Sequence, residues 1–236
     1  MNITQDDIDA FNTDEPDSSW DTLKPRTDYH FDAFKMDPAF DAMRYAGCFK
    51  GDWSKELSAT INSSTETTWR TRNPSDGTSK DIKSEEYDLT RSGAPADLIL
   101  TNLEYNLKPI FESMVDALGL EAGGKKEIQK RVHVQHPGQV WNVHIDKLEK
   151  WDTDNPHNVF RFMVMLNDWE PGHFIQYGNF VHTGYRAGEI YSFDWYNVPH
   201  CTANAGLNPR CTLLVTGIAT EKTRALFSTF NNVLQL

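Results

Sequence analysis

Cysteine is scarce in this chain: Cys48, Cys201 and Cys211 are the whole set, an odd number with no CxxC spacing. They provide neither a disulfide framework nor a thiolate zinc site, and they point to free thiols in a reducing compartment. Long apolar runs are missing as well. No stretch of about 18 apolar residues occurs, so no helical membrane span is expected. The segment from Met1 to Trp20 is acidic and polar where a secretory leader would be basic and then apolar. Basic residues are outnumbered, 23 Lys and Arg against 34 Asp and Glu, for a formal charge of −11. A field of that sign repels a phosphate backbone, so a nucleic-acid partner is not expected. The 14 glycines form neither GxGxxG nor GxxxxGK[ST], and no GxSxG elbow appears, which removes the usual nucleotide and serine-nucleophile signatures. The expected home is the cytoplasm, of a microbe or of an infected host cell, with no membrane partner.

What is present is enough apolar surface to fold. The chain has 236 residues, 39% hydrophobic and 12% aromatic, and at this length a chain buries roughly 70–75% of its extended surface in one core. A single domain over 1–236 is expected. Residues 1–56 read as an acidic, aromatic arm: Asp6, Asp7, Asp9, Asp14, Glu15, Asp17 and Asp21 come first, and Trp20, Tyr29, Phe31, Phe34, Phe40, Tyr45, Phe49 and Trp53 follow. Ser58 to Ser92 is rich in Ser, Thr, Asn, Asp and Gly and reads as irregular. Ile110, Phe111, Met114, Val115 and Leu118 then keep helical spacing, with Pro109 suited to a first turn and Gly123-Gly124 to a stop. From 130 to 220 short β-rich runs follow one another: Arg131 to Gln135, Val140 to Ile145, Val159 to Leu166, Phe174 to His182, Glu189 to Phe193 and Arg210 to Ile218. Turn signals such as His136-Pro137-Gly138 and Asn208-Pro209 separate them, predicting a mainly β sandwich or barrel with flanking helices.

Three places in that β region could carry chemistry. In a strand through His144-Ile145-Asp146, alternation puts Asn142, His144 and Asp146 on one face. Alone, such a triplet is ordinarily a surface pair. His200 offers a second imidazole, and two histidines with one carboxylate on one face of a metal leave open positions, the arrangement of non-haem Fe(II) enzymes. In a strand starting at Arg210, that guanidinium shares a face with Thr212, a pairing suited to a carboxylate. A buried Arg210 without an anion would cost several kcal/mol; its ordinary reading is a rim arginine paired with a surface acid. His133 and His136, with His144, form a rival set for zinc, and His30, His157, His173 and His182 read as surface or satisfied histidines. Gln135 is a further polar residue near the ligand strand.

Taken in order, His144-x-Asp146, His200 and Arg210-x-Thr212 resemble the Fe(II)- and 2-oxoglutarate-dependent dioxygenases, whose core is a double-stranded β-helix of jelly-roll, cupin-like form. Arg161-Phe162-Met163-Val164-Met165-Leu166, Gly188-Glu189-Ile190-Tyr191-Ser192-Phe193-Asp194 and His200-x-x-x-Asn204-x-Gly206-x-x-x-Arg210 resemble the aspartyl/asparaginyl β-hydroxylase branch more narrowly. That resemblance implies iron ligands at His144, Asp146 and His200, and Arg210 with Thr212 on the distal carboxylate of 2-oxoglutarate. It makes Arg161 a candidate for the other carboxylate. Asn142, which faces the same way as the ligands, and Gln135 are further candidates to touch co-substrate or substrate. The implied activity is hydroxylation of an amino-acid side chain, free or in a peptide or protein, by dioxygen, with release of succinate and CO2. Two departures stand out: Met163 where the branch often has a histidine, and a long Lys147 to Asn158 stretch. The alternatives are a keto-acid-independent cupin-type metalloenzyme and a β-barrel binding module without catalysis.

Overall fold

The structure, a computed structural model, describes residues 43–63, 69–72, 79–82, 98–100, 102–123, 126–144, 146, 148, 151–178, 180–195, 198–228 and 232–236. Two sheets face each other. The larger has the order β15 (Val233–Gln235), β1 (Arg44–Lys50), β12 (Glu189–Ser192), β9 (Val159–Met165), β14 (Arg210–Ala219), β7 (Gln129–Gln135) and β5 (Asn102–Glu104), with β6 (Leu120–Glu121) on β14. The smaller runs β11 (Phe180–Val181), β10 (His173–Tyr177), β13 (His200–Asn204), β8 (Val140–His144), β4 (Leu98–Leu100), β2 (Trp69–Arg72) and β3 (Ser79–Ile82). From β7 to β14 the chain passes repeatedly from one sheet to the other. That is the expected double-stranded β-helix, mainly β with helices at its flank.

The larger sheet is buried on both faces, and alternation along its three central strands divides them. Val132 and Val134 of β7, Phe162 and Val164 of β9, and Cys211, Leu213 and Val215 of β14 face one core cluster. That cluster is completed by Leu57 from α1 (Ser54–Ser63), by Phe111, Met114, Val115 and Leu118 from α2 (Pro109–Leu118), and by Leu226 just after α3 (Glu221–Ala225). Each such fully buried apolar side chain contributes about 1.5–3 kcal/mol of transfer free energy. The opposite positions, Arg131, His133, Gln135, Arg161, Arg210, Thr212 and Thr216, are buried and polar. A sheet face this rich in buried charge is a liability unless it lines a site.

The helix read from Pro109 begins there but ends at Leu118, before the expected Gly123-Gly124. Gly119 adopts a left-handed φ of 69° and caps it, and the chain then enters β6 against the end of β14. Within the stretch read as an arm, 1–42 lies outside the described residues, whereas Arg44–Lys50 is a strand of the larger sheet, antiparallel to β12. Phe49 and Trp53 belong to the core, and Trp53 Nε1 donates to the Leu166 carbonyl at 2.8 Å. Of the Ser58 to Ser92 stretch, α1 runs to Ser63 and β2 and β3 pair with each other. The run Phe174 to His182 divides at Gly178, whose φ is 51°, into β10 and β11. No helix among the described residues is long and apolar enough to cross a membrane.

Candidate metal centre and anion pocket

Hydrogen-bond register brings the two histidines together. In the ladder between β8 and β13 His144 lies directly opposite His200, so the long separation in sequence is closed by one cross-strand pair. The next paired position is Thr202 against Trp141, which places two steps on β13 against three on β8. This bulge defeats simple alternation on β8 and turns Trp141 and His144 to the same side, where their rings stack at 5.3 Å. β8 ends at His144, and Asp146 stands just beyond it rather than within the expected strand. Asn142 lies on β8, but its side chain is outside the described residues. Val143, which alternation puts on the face away from His144, is exposed.

Ligand atoms of His144, Asp146 and His200 all lie within 4.8 Å of one another, the one such group of three His, Cys, Asp or Glu among the described residues. His144 Nε2 is 3.8 Å from Asp146 Oδ1, and His200 Nε2 is 3.5 Å from Asp146 Oδ2. His200 Nδ1 lies 3.1 Å from the Val198 carbonyl. Because a carbonyl only accepts, Nδ1 donates to it, which leaves Nε2, the ring atom nearest Asp146, as the candidate metal ligand. Burial opposes ionisation of Asp146, but the Arg161 guanidinium, with His200 and His144, outweighs it and holds the carboxyl well below its usual range. Two imidazoles and an ionised carboxylate on one side of a shared space fit a divalent transition metal.

The pocket around this group is lined by His133, Trp141, Met163, Tyr177, Phe193, Thr202, Thr212 and Leu214, together with Arg161 and Arg210. Its empty space, counted with the solvent at its open mouth, is about 390 Å³. Tyr177 stacks beside His200 at 5.5 Å and Phe193 meets its edge at 4.9 Å. Met163, the residue that departs from the branch pattern, takes a contact of 3.7 Å from the Tyr177 hydroxyl.

Arg210 is 1% exposed. Its Nε and Nη2 both donate to Gln135 Oε1, at 2.9 and 2.7 Å, and Gln135 Nε2 donates in turn to Thr202 Oγ1 at 2.8 Å. Gln135 therefore aims the guanidinium. Nη1 and the Tyr185 hydroxyl are both buried without a well-formed hydrogen bond among the described residues, and the hydroxyl lies near enough to the guanidinium to interact with it. The motif spacing between His200 and Arg210 has a physical basis. The Asn204 amide donates to the Gln135 and Asn208 carbonyls and accepts from the Gly206 amide, stapling the loop that joins the two strands. A Cβ on Gly206 would lie 2.8 Å from the Pro171 carbonyl oxygen.

Arg161, the candidate for the other co-substrate carboxylate, lines the pocket and is engaged by protein groups there. Its Nε donates to Thr216 Oγ1 and its Nη2 to Gln129 Oε1, each at 2.9 Å, and Nη1 forms an ion pair with Asp146. The rival histidine set does not assemble. His133 Nε2 accepts from Arg131 Nε at 2.8 Å, and Trp141 is stacked between the His133 and His144 rings. The expected loop from Lys147 is packed where it is described: Leu148 and Trp151 are buried in the second core cluster, and Trp151 Nε1 donates to the Glu127 carbonyl. Gln129, Tyr177 and Trp141 carry no sequence signal of their own, and cross-strand register is what reveals them.

Burial and neighbouring guanidinium groups push His133 well below its ordinary value, and burial pushes His173 down and His182 to about 4. These imidazoles stay neutral in the fold, whereas in the unfolded chain they take up a proton near about pH 6.5. Their stabilising contribution is therefore complete above the unfolded pKa and is lost as pH falls through the folded one. Thermal unfolding between about pH 6.5 and 4 is expected to show a shallower acid decline for His182→Gln than for wild type. Parallel curves would contradict this.

Neither a protein-family model nor a curated protein sequence matches the chain. Among solved structures it is similar to a prolyl-4-hydroxylase from Pseudomonas putida, with 17% identity and a TM-score of 0.48 over 78% of this chain and 96% of that one. It is also similar to a protein with a double-stranded β-helix domain from Klebsiella pneumoniae, with 20% identity and a TM-score of 0.28 over 39% and 67%. A cupin 2 conserved barrel domain protein from Salinispora arenicola shares 9% identity, with a TM-score of 0.31 over 63% and 97%. All three are distant likenesses of shape, and none assigns chemistry to this chain.

Proposed function

We propose that the protein is an Fe(II)- and 2-oxoglutarate-dependent oxygenase that hydroxylates an amino-acid side chain, free or within a peptide, and works in the cytoplasm. The observation that carries this reading is the buried Arg210, which among the described residues has no carboxylate partner and only the neutral Tyr185 hydroxyl near its remaining donor, in the same pocket as His144, Asp146 and His200. A guanidinium held out of water without a counter-ion costs several kcal/mol unless an anion arrives. The three ligands would hold Fe(II), and the Arg210 fork with the Thr212 hydroxyl would hold the far carboxylate of the keto acid. Bound together, Fe(II) and 2-oxoglutarate supply the means to turn dioxygen into an oxidant for an unactivated C–H bond, with succinate and CO2 released.

The chain's own part is placement. Gln135, fixed by Thr202, sets the Arg210 fork, and the Val198 carbonyl sets the His200 tautomer. Tyr177, Phe193 and Trp141 wall the ligands with aromatic surface and exclude water from one side. A keto-acid-independent cupin-type enzyme would use the same three ligands but leave Arg210 without an anion, and a binding module would need no ligand set at all. The discriminating experiment is aerobic incubation with Fe(II), ascorbate and 2-oxoglutarate, with and without candidate amino acids and cell extract. Succinate formation that requires both Fe(II) and protein is expected, with a substrate mass gain of one oxygen. Metal binding without any succinate would favour the keto-acid-independent reading.

A further inference from the structure

We infer that Arg161, Thr216 and Gln129 form a positioning set that holds the Asp146 carboxylate toward the two histidines, and that Arg161 is not a co-substrate contact. The inference rests on the metal reading of His144, Asp146 and His200. Register is the first support. Thr216 of β14 lies opposite Arg161 of β9 on one side and opposite Gln129 of β7 on the other, so the three form a single row across the centre of the larger sheet. Such neighbours stand at contact distance by the geometry of the ladder.

Saturation of the guanidinium is the second support. Thr216 and Gln129 take Nε and Nη2, which fixes the plane of the fork and leaves Nη1 directed at Asp146. The Arg161 side chain is only 4% exposed, so each of its three nitrogens is engaged inside the protein. Asp146 needs such a hold because it lies past the end of β8, where a strand no longer fixes the direction of a side chain. Arg161 grips one oxygen, Oδ2, while Oδ1 faces His144. A carboxylate gripped from one side presents a defined edge to a cation. Arg210 differs on each count: among the described residues it has no carboxylate partner, and its Nη1 makes no well-formed hydrogen bond. The two arginines that line the pocket therefore divide the work, one ordering a ligand and the other awaiting an anion.

The test uses Mn(II) as the probe, with electron paramagnetic resonance reading both free and bound metal, and 2-oxoglutarate titrated separately into the Mn(II)-loaded protein. Thr216→Val is nearly isosteric, and Gln129→Leu removes the second acceptor; both leave the Arg161 charge in place. The double variant is expected to bind Mn(II) about tenfold more weakly, the scale of lost outer-shell support, and to broaden the bound-Mn(II) spectrum while its 2-oxoglutarate affinity stays as in wild type. Arg161→Lys, which cannot make the three-way fork, is expected to weaken Mn(II) similarly rather than restore it. Unchanged or tighter Mn(II) binding in these variants would overturn the inference, as would a loss confined to 2-oxoglutarate affinity. A wild-type protein that binds no Mn(II) would instead overturn the metal reading itself.

Discussion

Asp146→Asn is expected to lower metal affinity by more than about a hundredfold, beyond what loss of a supporting outer-shell contact costs, and to abolish 2-oxoglutarate turnover at any practical Fe(II) concentration. Asparagine keeps the shape of the side chain and removes its charge, so what is lost is the one anionic donor of the group. His144 and His200 remain opposite each other on β8 and β13, but two neutral imidazoles alone hold a divalent cation weakly. The same substitution strips Arg161 of its only ion-pair partner among the described residues. Breaking a buried pair by removing one member costs about 3–5 kcal/mol, so the variant should also unfold at a lower temperature. Asp146→Ala should lose both iron and turnover as well. Metal titration, with unfolding followed in parallel, separates the two effects. Full decarboxylation at saturating Fe(II) in either variant would refute the ligand assignment.

Arg210→Met is the second large effect. Met fills much of the same volume but offers no donor, and each lost charge-assisted hydrogen bond to a carboxylate is worth about 1.5–3 kcal/mol. The apparent affinity for 2-oxoglutarate is thus expected to fall by about ten- to a hundredfold or more. Metal affinity should hold, because Arg210 belongs to the anion end of the pocket and bonds to Gln135 rather than to a ligand. Arg210→Lys keeps the charge but not the fork, and should fall between. Titration of 2-oxoglutarate into each metal-loaded variant is the measurement. An unchanged affinity in Arg210→Met would leave that guanidinium with a structural role alone.

The legible part of the fold was the part that alternates. β7, β9, β12 and β14 carry enough Val, Ile, Phe and Leu for a period of two to show, and the faces it assigns to Arg210, Thr212 and Leu214 agree with the pocket they line. β13 escaped notice because His200–Asn204 reads His-Cys-Thr-Ala-Asn, a polar run whose place in the sheet comes from pairing with β8 and β10. α1 was hidden by its Ser, Thr and Asn residues, which favour turns in isolation. Tertiary burial of Leu57 overrides that preference.

The candidate site divides the same way. His144, Asp146, His200 and Arg210 could be named from type and order, because their chemistry is unusual in a β-rich stretch. Their mutual placement could not be read, since it depends on the β8 bulge and on the His144–His200 register. Arg161 shows the limit most clearly. The family resemblance singles it out only as a co-substrate contact, and the row across β7, β14 and β9 supplies its partners, Gln129 and Thr216. A residue's face follows from local alternation, and its partner follows from which strands lie beside it.

The most direct measurement is diffraction from crystals grown without oxygen in the presence of Fe(II) and 2-oxoglutarate. The expected result is metal density bonded to His144 Nε2, His200 Nε2 and an Asp146 oxygen, with one keto-acid carboxylate accepting from Arg210 Nη1. Metal bound elsewhere, or a keto acid seated away from Arg210, would contradict the account.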